Sequence, residues 1–189
     1  MRRFPALVLL GVFAAVSACG STGKPVPQSA PPSAQPPTSA SEQVSARPRD
    51  LDMDDKKACD LLTADQLDRL KIDRAGRASE ISALNATGCT WTVTGASSIL
   101  APVLNEGIDA WVNGGRIGKG ESVAPVSGFP AITVAIPGSP DRCDLMVDTA
   151  DDQYLAVAFT VSPSFQDEFP EPCDGARQLA EAAMQNLLK

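Results

Sequence analysis

The sequence predicts an α+β domain, an antiparallel β-sheet flanked by an N-terminal and a C-terminal helix and cross-linked by two disulfides. Three observations predict it. Short runs in the middle of the chain alternate polar and apolar residues and are separated by short turns. Helical spacing of apolar residues is confined to the two ends of the folded part. Four cysteines, Cys59, Cys89, Cys143 and Cys173, lie within it. Consecutive short strands bracketed by helices describe an α+β layer, and an even cysteine count in an exported domain describes a disulfide framework.

The first residues state where the chain goes. Arg2 and Arg3 precede the apolar run Phe4 to Val16, and Val16-Ser17-Ala18-Cys19 follows. A charged start, an apolar run of about 7–15 residues and small residues at a cut site describe a secretory signal. The run is shorter than the ~20 residues a spanning helix needs. A cysteine directly after small residues, with an aliphatic residue at −3, resembles the bacterial lipobox, in which Cys19 is acylated and becomes the first residue of the mature chain. An ordinary signal peptide with an incidental cysteine is the competing reading. Residues 1–18 are thus read as a lipoprotein signal and residues 19–49 as the lipidated cysteine and its tether. That tether carries Pro25, Pro27, Pro31, Pro32, Pro36, Pro37 and Pro48 and almost no aliphatic side chains. Such a segment cannot bury enough surface to offset chain entropy. In extended polyproline form it reaches up to roughly 90 Å, a stalk that lifts residues 50–189 off a membrane surface.

The folded part, about 140 residues, is long enough for one core. Thr63 with Gln66 forms a capping box, and Leu62 with Leu67 a hydrophobic staple, so a short helix starts at Thr63 and turns Leu67 and Leu70 inward. In Cys89-Thr90-Trp91-Thr92-Val93-Thr94 the threonines face one way and Cys89, Trp91 and Val93 the other. Ser97 to Leu104 is a second strand, with Pro102 marking an edge or an early end. Ala131 to Ile136 is a third. Cys143, Leu145 and Val147 alternate with Asp144, Met146 and Asp148, and after the turn 149–153 the run Tyr154 to Val161 completes a hairpin. The last element is a helix capped by Asp174, with Ala176, Leu179, Ala180, Ala183, Met184, Leu187 and Leu188 at helical spacing.

Four cysteines allow three connectivities, and spacing does not choose among them. Cys59–Cys89 with Cys143–Cys173 is the expected pairing, because each bond then ties the start of a helix to a strand. Each would close a loop of about 30 residues, worth roughly 3–4 kcal/mol through the unfolded state. No pair has the Cys-x₂₋₄-Cys spacing of a zinc site or the Cys-x-x-Cys of a redox centre.

With these elements in place, four motifs resemble a known family. Ala58-Cys59-Asp60-Leu61-Leu62-Thr63, Gly88-Cys89-Thr90-Trp91, Gly128-Phe129-Pro130-Ala131, and a late cysteine before an Ala-rich helix are similar in order and spacing to an actinobacterial secreted lipoprotein family of unknown function. Lys57-Ala58 stands where that family usually has Asp-Pro, and Phe129 where it has Tyr. The resemblance implies secretion, lipidation and this cysteine pattern, and no established activity.

Chemistry is limited from the outset. The chain has no histidine, which excludes Ser-His-Asp and Cys-His nucleophiles and His-ligated zinc or copper. None of the lysines of the folded part stands in a Ser-x-x-Lys pattern, and Lys24 lies in the tether. Asp50, Asp52, Asp54 and Asp55 resemble the opening of a calcium loop, but Asp55 occupies the place of the required Gly and Leu61 that of the bidentate Glu. The run Asn113 to Gly120 lacks both the first Gly and the Ser or Thr of a phosphate loop. No cofactor and no metal is expected. The net charge of −7 becomes −9 once Arg2 and Arg3 leave with the signal, so nucleic acid is not an expected partner. Trp91 shares a face with Cys89 and Val93 and is expected in the core. Trp111, Arg116 and Lys119, in and before a glycine-rich loop, are the candidate binding residues.

The expected function is therefore a membrane-anchored, non-enzymatic binding or accessory module on the extracellular face of the cell membrane. Its partners would be the membrane itself, through acylated Cys19, and an envelope protein, peptide or lipid. The alternatives are a small hydrolase or transferase without histidine, and an inhibitor- or immunity-type module docking on a secreted protein.

Overall fold

The computed structural model describes residues 46–189. The signal segment, Cys19 and most of the tether lie outside the described residues.

Seven strands form one antiparallel sheet: β1 (Arg77–Ile81), β2 (Ala86–Val93), β3 (Ala96–Val103), β4 (Lys119–Val126), β5 (Phe129–Ala135), β6 (Arg142–Ala150) and β7 (Gln153–Val161). Three α-helices accompany them, α1 (Ala64–Arg69), α2 (Asp109–Val112) and α3 (Pro172–Leu187), and a 3-10 turn at Ala58–Leu61 precedes α1. The strand order β1-β2-β3-β7-β6-β5-β4 places two meanders side by side and joins them at β3 and β7. The fold class is thus α+β with most of its order in strands.

One face of the sheet is closed by helices. Cys89, Trp91, Leu100, Leu145, Leu155 and Val157 point to it and form the main core with Leu179, Ala180, Ala183 and Met184 of α3. Trp91 is buried there at 2 % exposure. The structure bonds Cys59 to Cys89 and Cys143 to Cys173, so the 3-10 turn is tied to β2 and α3 to β6. The capping box forms: Gln66 N–H donates to Thr63 Oγ1 at 3.3 Å and Thr63 N–H to Gln66 Oε1 at 2.9 Å. Gln66 then does more than cap. It is buried, and its Nε2 donates to Ala182 O at 2.9 Å, which pins α1 to α3. Leu67 and Leu70 are only partly buried against the core.

Several expectations are corrected. The last helix begins at Pro172 with Glu171 as its N-cap, not at Asp174, because proline is suited to the first helical position. Asp174 and Cys173 therefore lie inside the first turn. Gly175 in the next position lets α3 lie against the sheet, since a Cβ there would fall 2.3 Å from the Phe159 ring. The strand bearing Pro102 is interior, between β2 and β7. Its pairing with β2 runs only from Ala96 to Leu100, so Pro102 stands beyond the end of the ladder on that side. The turn between β6 and β7 is Asp151-Asp152 alone, two residues instead of five. Strands β1 and β4 were not expected. Both are sheet edges, half exposed, and lack the apolar alternation that marks a strand with a buried face. Finally, Arg47 belongs to the domain although the sequence reading put it in the tether. Its guanidinium bonds Asp50 at 3.1 Å, Asp148 at 2.7 Å and also Asp151. Leu51 N–H joins Thr149 O at 2.8 Å.

Candidate functional site

The second face of the sheet has no long helix. The register lays its side chains in rows. Thr92, Ser97, Thr160 and Arg142 pair in sequence across β2, β3, β7 and β6. The next row reads Arg77, Thr90, Ile99, Ala158 and Asp144. The next reads Ala101, Ala156, Met146 and Ile132. Polarity therefore falls along the strands, from a row of hydroxyls and arginine to a row with none. The alternation that put threonines opposite Trp91 in the sequence is what writes the polar end of this face.

The apolar end is roofed by the connection from β3 to β4. To reach the far edge, residues 104–118 must cross β7, β6 and β5, and they do so over this face, carrying α2. Gly107 rests against the β6–β7 turn, where a Cβ would meet Asp151 O at 2.2 Å. Trp111 of α2 is buried at 7 % exposure among Ala101, Val103, Ile132, Val134, Met146 and Ala156. This strap is held by one polar chain. Trp111 Nε1 donates to Tyr154 Oη at 2.9 Å, and Tyr154 Oη donates to Glu106 Oε1 at 2.7 Å. Arg116 clasps the same carboxylate with Nε (3.1 Å to Oε2) and Nη2, and its Nη1 donates to Ala83 O in the β1–β2 turn. Its guanidinium also lies 5.8 Å from the Trp111 ring centroid, within cation–π range. Burial, with the Glu106 carboxylate beside it, pushes the Tyr154 phenol well above its ordinary range. The hydroxyl thus stays a donor.

Arg116 thereby links the connection entering β4, at one edge, to the turn between β1 and β2 at the other. Beneath the link lies a groove of about 250 Å³ lined by Ile81, Leu84, Ile99, Trp111, Ile136 and Met146. Ser139, Arg142 and Asp144 stand at its margin. Arg142 holds Asp144 through two bonds, 2.7 and 2.6 Å. The hydrogen bonds that Arg142 donates to Asp144 raise its own pKa, against the opposing effect of burial. Past Ile99 the groove opens onto a broad shallow shelf of about 820 Å³, lined by Arg74, Arg77, Ser79, Thr90, Thr92 and Thr94.

The three candidate binding residues are not one site. Trp111 and Arg116 are brought together, but as parts of the strap, with their polar atoms bonded inside the protein. Lys119 opens β4, pairs across to Ala135, shares its side of the sheet with α3, and is exposed beside Glu121 at 3.2 Å. Arg74 and Arg77 were missed. Arg74 precedes β1 and Arg77 opens it, and neither carries a local signal, because only the pairing of Arg77 with Thr90 places this segment on the polar face. Among the described residues no cluster of acids or cysteines has the arrangement of a metal site, and Asp50, Asp52 and Asp54 are engaged by Arg47, by the Asp54 backbone and by Gln153 respectively. No helix among the described residues is long and apolar enough to cross a membrane.

A family described as "Protein of unknown function (DUF3558)" matches residues 14–186. No curated protein and no solved structure matches.

Proposed function

The chain belongs to the DUF3558 family of proteins of unknown function, and from that premise we propose that it is a lipid-anchored, non-enzymatic binding module of an actinobacterial cell envelope. In this reading Cys19 holds the membrane, the proline-rich tether sets the distance, and the strapped face of the sheet takes the ligand. The observation that carries the reading is the asymmetry of the sheet. One face is filled by α3, whereas the other keeps an apolar groove that opens onto a polar shelf. Concave apolar sites with a few convergent polar groups are where small ligands bind. The leader Arg2 to Cys19 supports the anchoring, and the motifs around Cys59, Cys89 and Phe129 support the actinobacterial setting.

A second reading, docking on a secreted protein, is favoured by the outer side of the strap. Val112 is 60 % and Ile117 81 % exposed there. One experiment separates the two. The full chain, with disulfides intact, is incubated with envelope extract and recovered, and bound lipids, peptides and proteins are read by mass spectrometry. Ile99→Trp, which fills the groove, should abolish capture of the ligand. Ile117→Asp should leave it unchanged. Capture of a protein lost only in Ile117→Asp would replace the first reading with the second. Anchoring is tested in the same cells: Cys19→Ala should move the chain from the membrane to the soluble fraction, and unchanged membrane retention would refute the acylation.

A further inference from the structure

The groove and the shelf form one surface of two chemistries, and their order is fixed by register. Thr90 on the shelf pairs with Ile99 in the groove, and Ile99 pairs with Ala158. Arg77 pairs with Thr90, which puts it two strands, roughly 10 Å, from Ile99. A ligand that fills the groove therefore presents its outer end to Arg77 and Arg74.

The groove limits the tail. At about 250 Å³ it lies below the ~300–1,000 Å³ typical of drug-sized sites. Its lining is apolar apart from Ser139, Arg142 and Asp144 at its margin, and Trp111 of the strap forms part of it. One acyl chain suits it; two do not.

The shelf limits the head. The chain carries a net charge of −7, and Arg47, Arg116, Arg142 and Arg177 are all paired with carboxylates. Arg74 and Arg77 are paired with none among the described residues, and they face hydroxyls from Ser79, Thr90 and Thr92. The two acids of this face that the groove and strap carry, Asp144 and Glu106, are held by Arg142 and Arg116. Two unpaired guanidinium forks among hydroxyl donors match the oxygens of a phosphate group.

Resting on the reading of this face as the binding face, we propose that it takes a single-chain amphiphile with a phosphate headgroup, the acyl chain under the strap and the phosphate on Arg74 and Arg77. The shelf supplies charge and hydroxyl donors, and the groove supplies apolar burial. Neither half suffices, which is why the shelf is not expected to hold phosphate by itself.

The test is calorimetric titration of the full chain carrying Cys19→Ser, below the micelle threshold, with three probes: dodecyl phosphate, dodecyl maltoside and inorganic phosphate. Dodecyl phosphate should bind at least about tenfold more tightly than the maltoside, and inorganic phosphate should not bind measurably. Each methylene removed from the alkyl chain should weaken binding by about fourfold, the burial of one CH₂. The double variant Arg74→Gln/Arg77→Gln should lose the phosphate advantage and keep the maltoside affinity. Ile99→Trp should lose both, and Ser139→Trp at the groove margin repeats that test should the first variant fold poorly by its melting temperature. Equal affinities for the two dodecyl probes, with Ile99→Trp still abolishing both, would overturn the headgroup and leave the groove reading standing. Inorganic phosphate binding as tightly as dodecyl phosphate, or no dodecyl probe binding at all, would overturn the amphiphile. In either case the envelope capture above would still decide whether this face binds anything.

Discussion

Trp111 and Tyr154 are joined by a buried hydrogen bond, Nε1 to Oη at 2.9 Å, and the Tyr154 hydroxyl in turn donates a hydrogen bond to Glu106 at 2.7 Å. Two aromatic residues 43 positions apart in sequence thus fix the strap to the middle of the sheet. A buried donor or acceptor stripped of its partner costs about 1–3 kcal/mol. Tyr154→Phe orphans a donor on Trp111 and removes a bond from Glu106 without changing the ring. We expect it to destabilise the chain by that amount in urea unfolding, and an unchanged midpoint would show that water replaces the hydroxyl.

Arg116 holds the strap from the other side. It bonds both oxygens of Glu106 and reaches the carbonyl of Ala83. Arg116→Ala should free residues 107–118 while leaving α3 and its strands intact. Hydrogen exchange is the measurement: faster exchange confined to the strap and the β1–β2 turn is expected. Protection lost over the whole sheet would mean that the strap is part of the global folding unit.

The Arg47 clasp predicts a pH dependence with a definite sign. Burial raises the Asp148 pKa, with Asp151 and Asp50 adding to the effect, and Arg47 offsets only part of it. The folded state then binds the Asp148 proton more tightly than the unfolded state. Its contribution to stability rises as pH falls through the folded pKa and is lost above it. Asp148→Asn removes the charge and keeps an acceptor for Arg47. The variant should melt at or above the wild-type temperature at pH 7, and the gap should close as pH falls below the ordinary carboxylate range, where Asp148 is protonated in both states. A variant less stable than wild type by more than about 1 kcal/mol at pH 7 would show that the ion pair outweighs burial of the charge.

Each disulfide closes a loop of 30 residues, so replacing either pair by serine should cost about 3–4 kcal/mol. The two losses should differ in kind. Without Cys143–Cys173 the first turn of α3 is released. Without Cys59–Cys89 the 3-10 turn and α1 are. Limited proteolysis of the two variants should cut at different ends of the chain.

Gly175 gives a packing test. Alanine is the better helix former by roughly 1 kcal/mol, yet its Cβ would enter the Phe159 ring. Overpacking costs about 1–3 kcal/mol, so Gly175→Ala should lower the melting temperature, and the pair Gly175→Ala with Phe159→Leu should recover part of it.

What the sequence conveyed depended on where each residue lies. The alternation through Cys89–Thr94 and Cys143–Asp148 was legible because those strands have one face in the main core, and the Thr63 capping box because both its members are local. The edges β1 and β4 were silent, since a strand with little buried surface shows no strong period. Gln66 was read as a cap only, because its bond to Ala182 joins residues 116 apart in sequence. The same holds for the site. Trp111 and Arg116 were legible as unusual residues, but not that each bonds inward, because their partners Tyr154, Glu106 and Ala83 are brought near only by the crossing of the strap. The shelf arginines needed the register of three strands.

The strand order has a consequence for assembly. The first meander ends at β3 and the second begins at the opposite edge, and only β7, the last of the seven strands, hydrogen-bonds to both halves. Until residues 153–161 are present, β3 and β6 each have an unsatisfied edge, and neither half has the partner that closes its ladder. A chain emerging in order from its N-terminus, whether from a ribosome or through a translocation pore, therefore cannot complete its sheet early. It must stay unpaired at its centre until almost its whole length is available, and then close in one late, long-range step of the slow kind that non-local pairing imposes. Delayed closure of this sort keeps a polypeptide threadable for as long as threading is required.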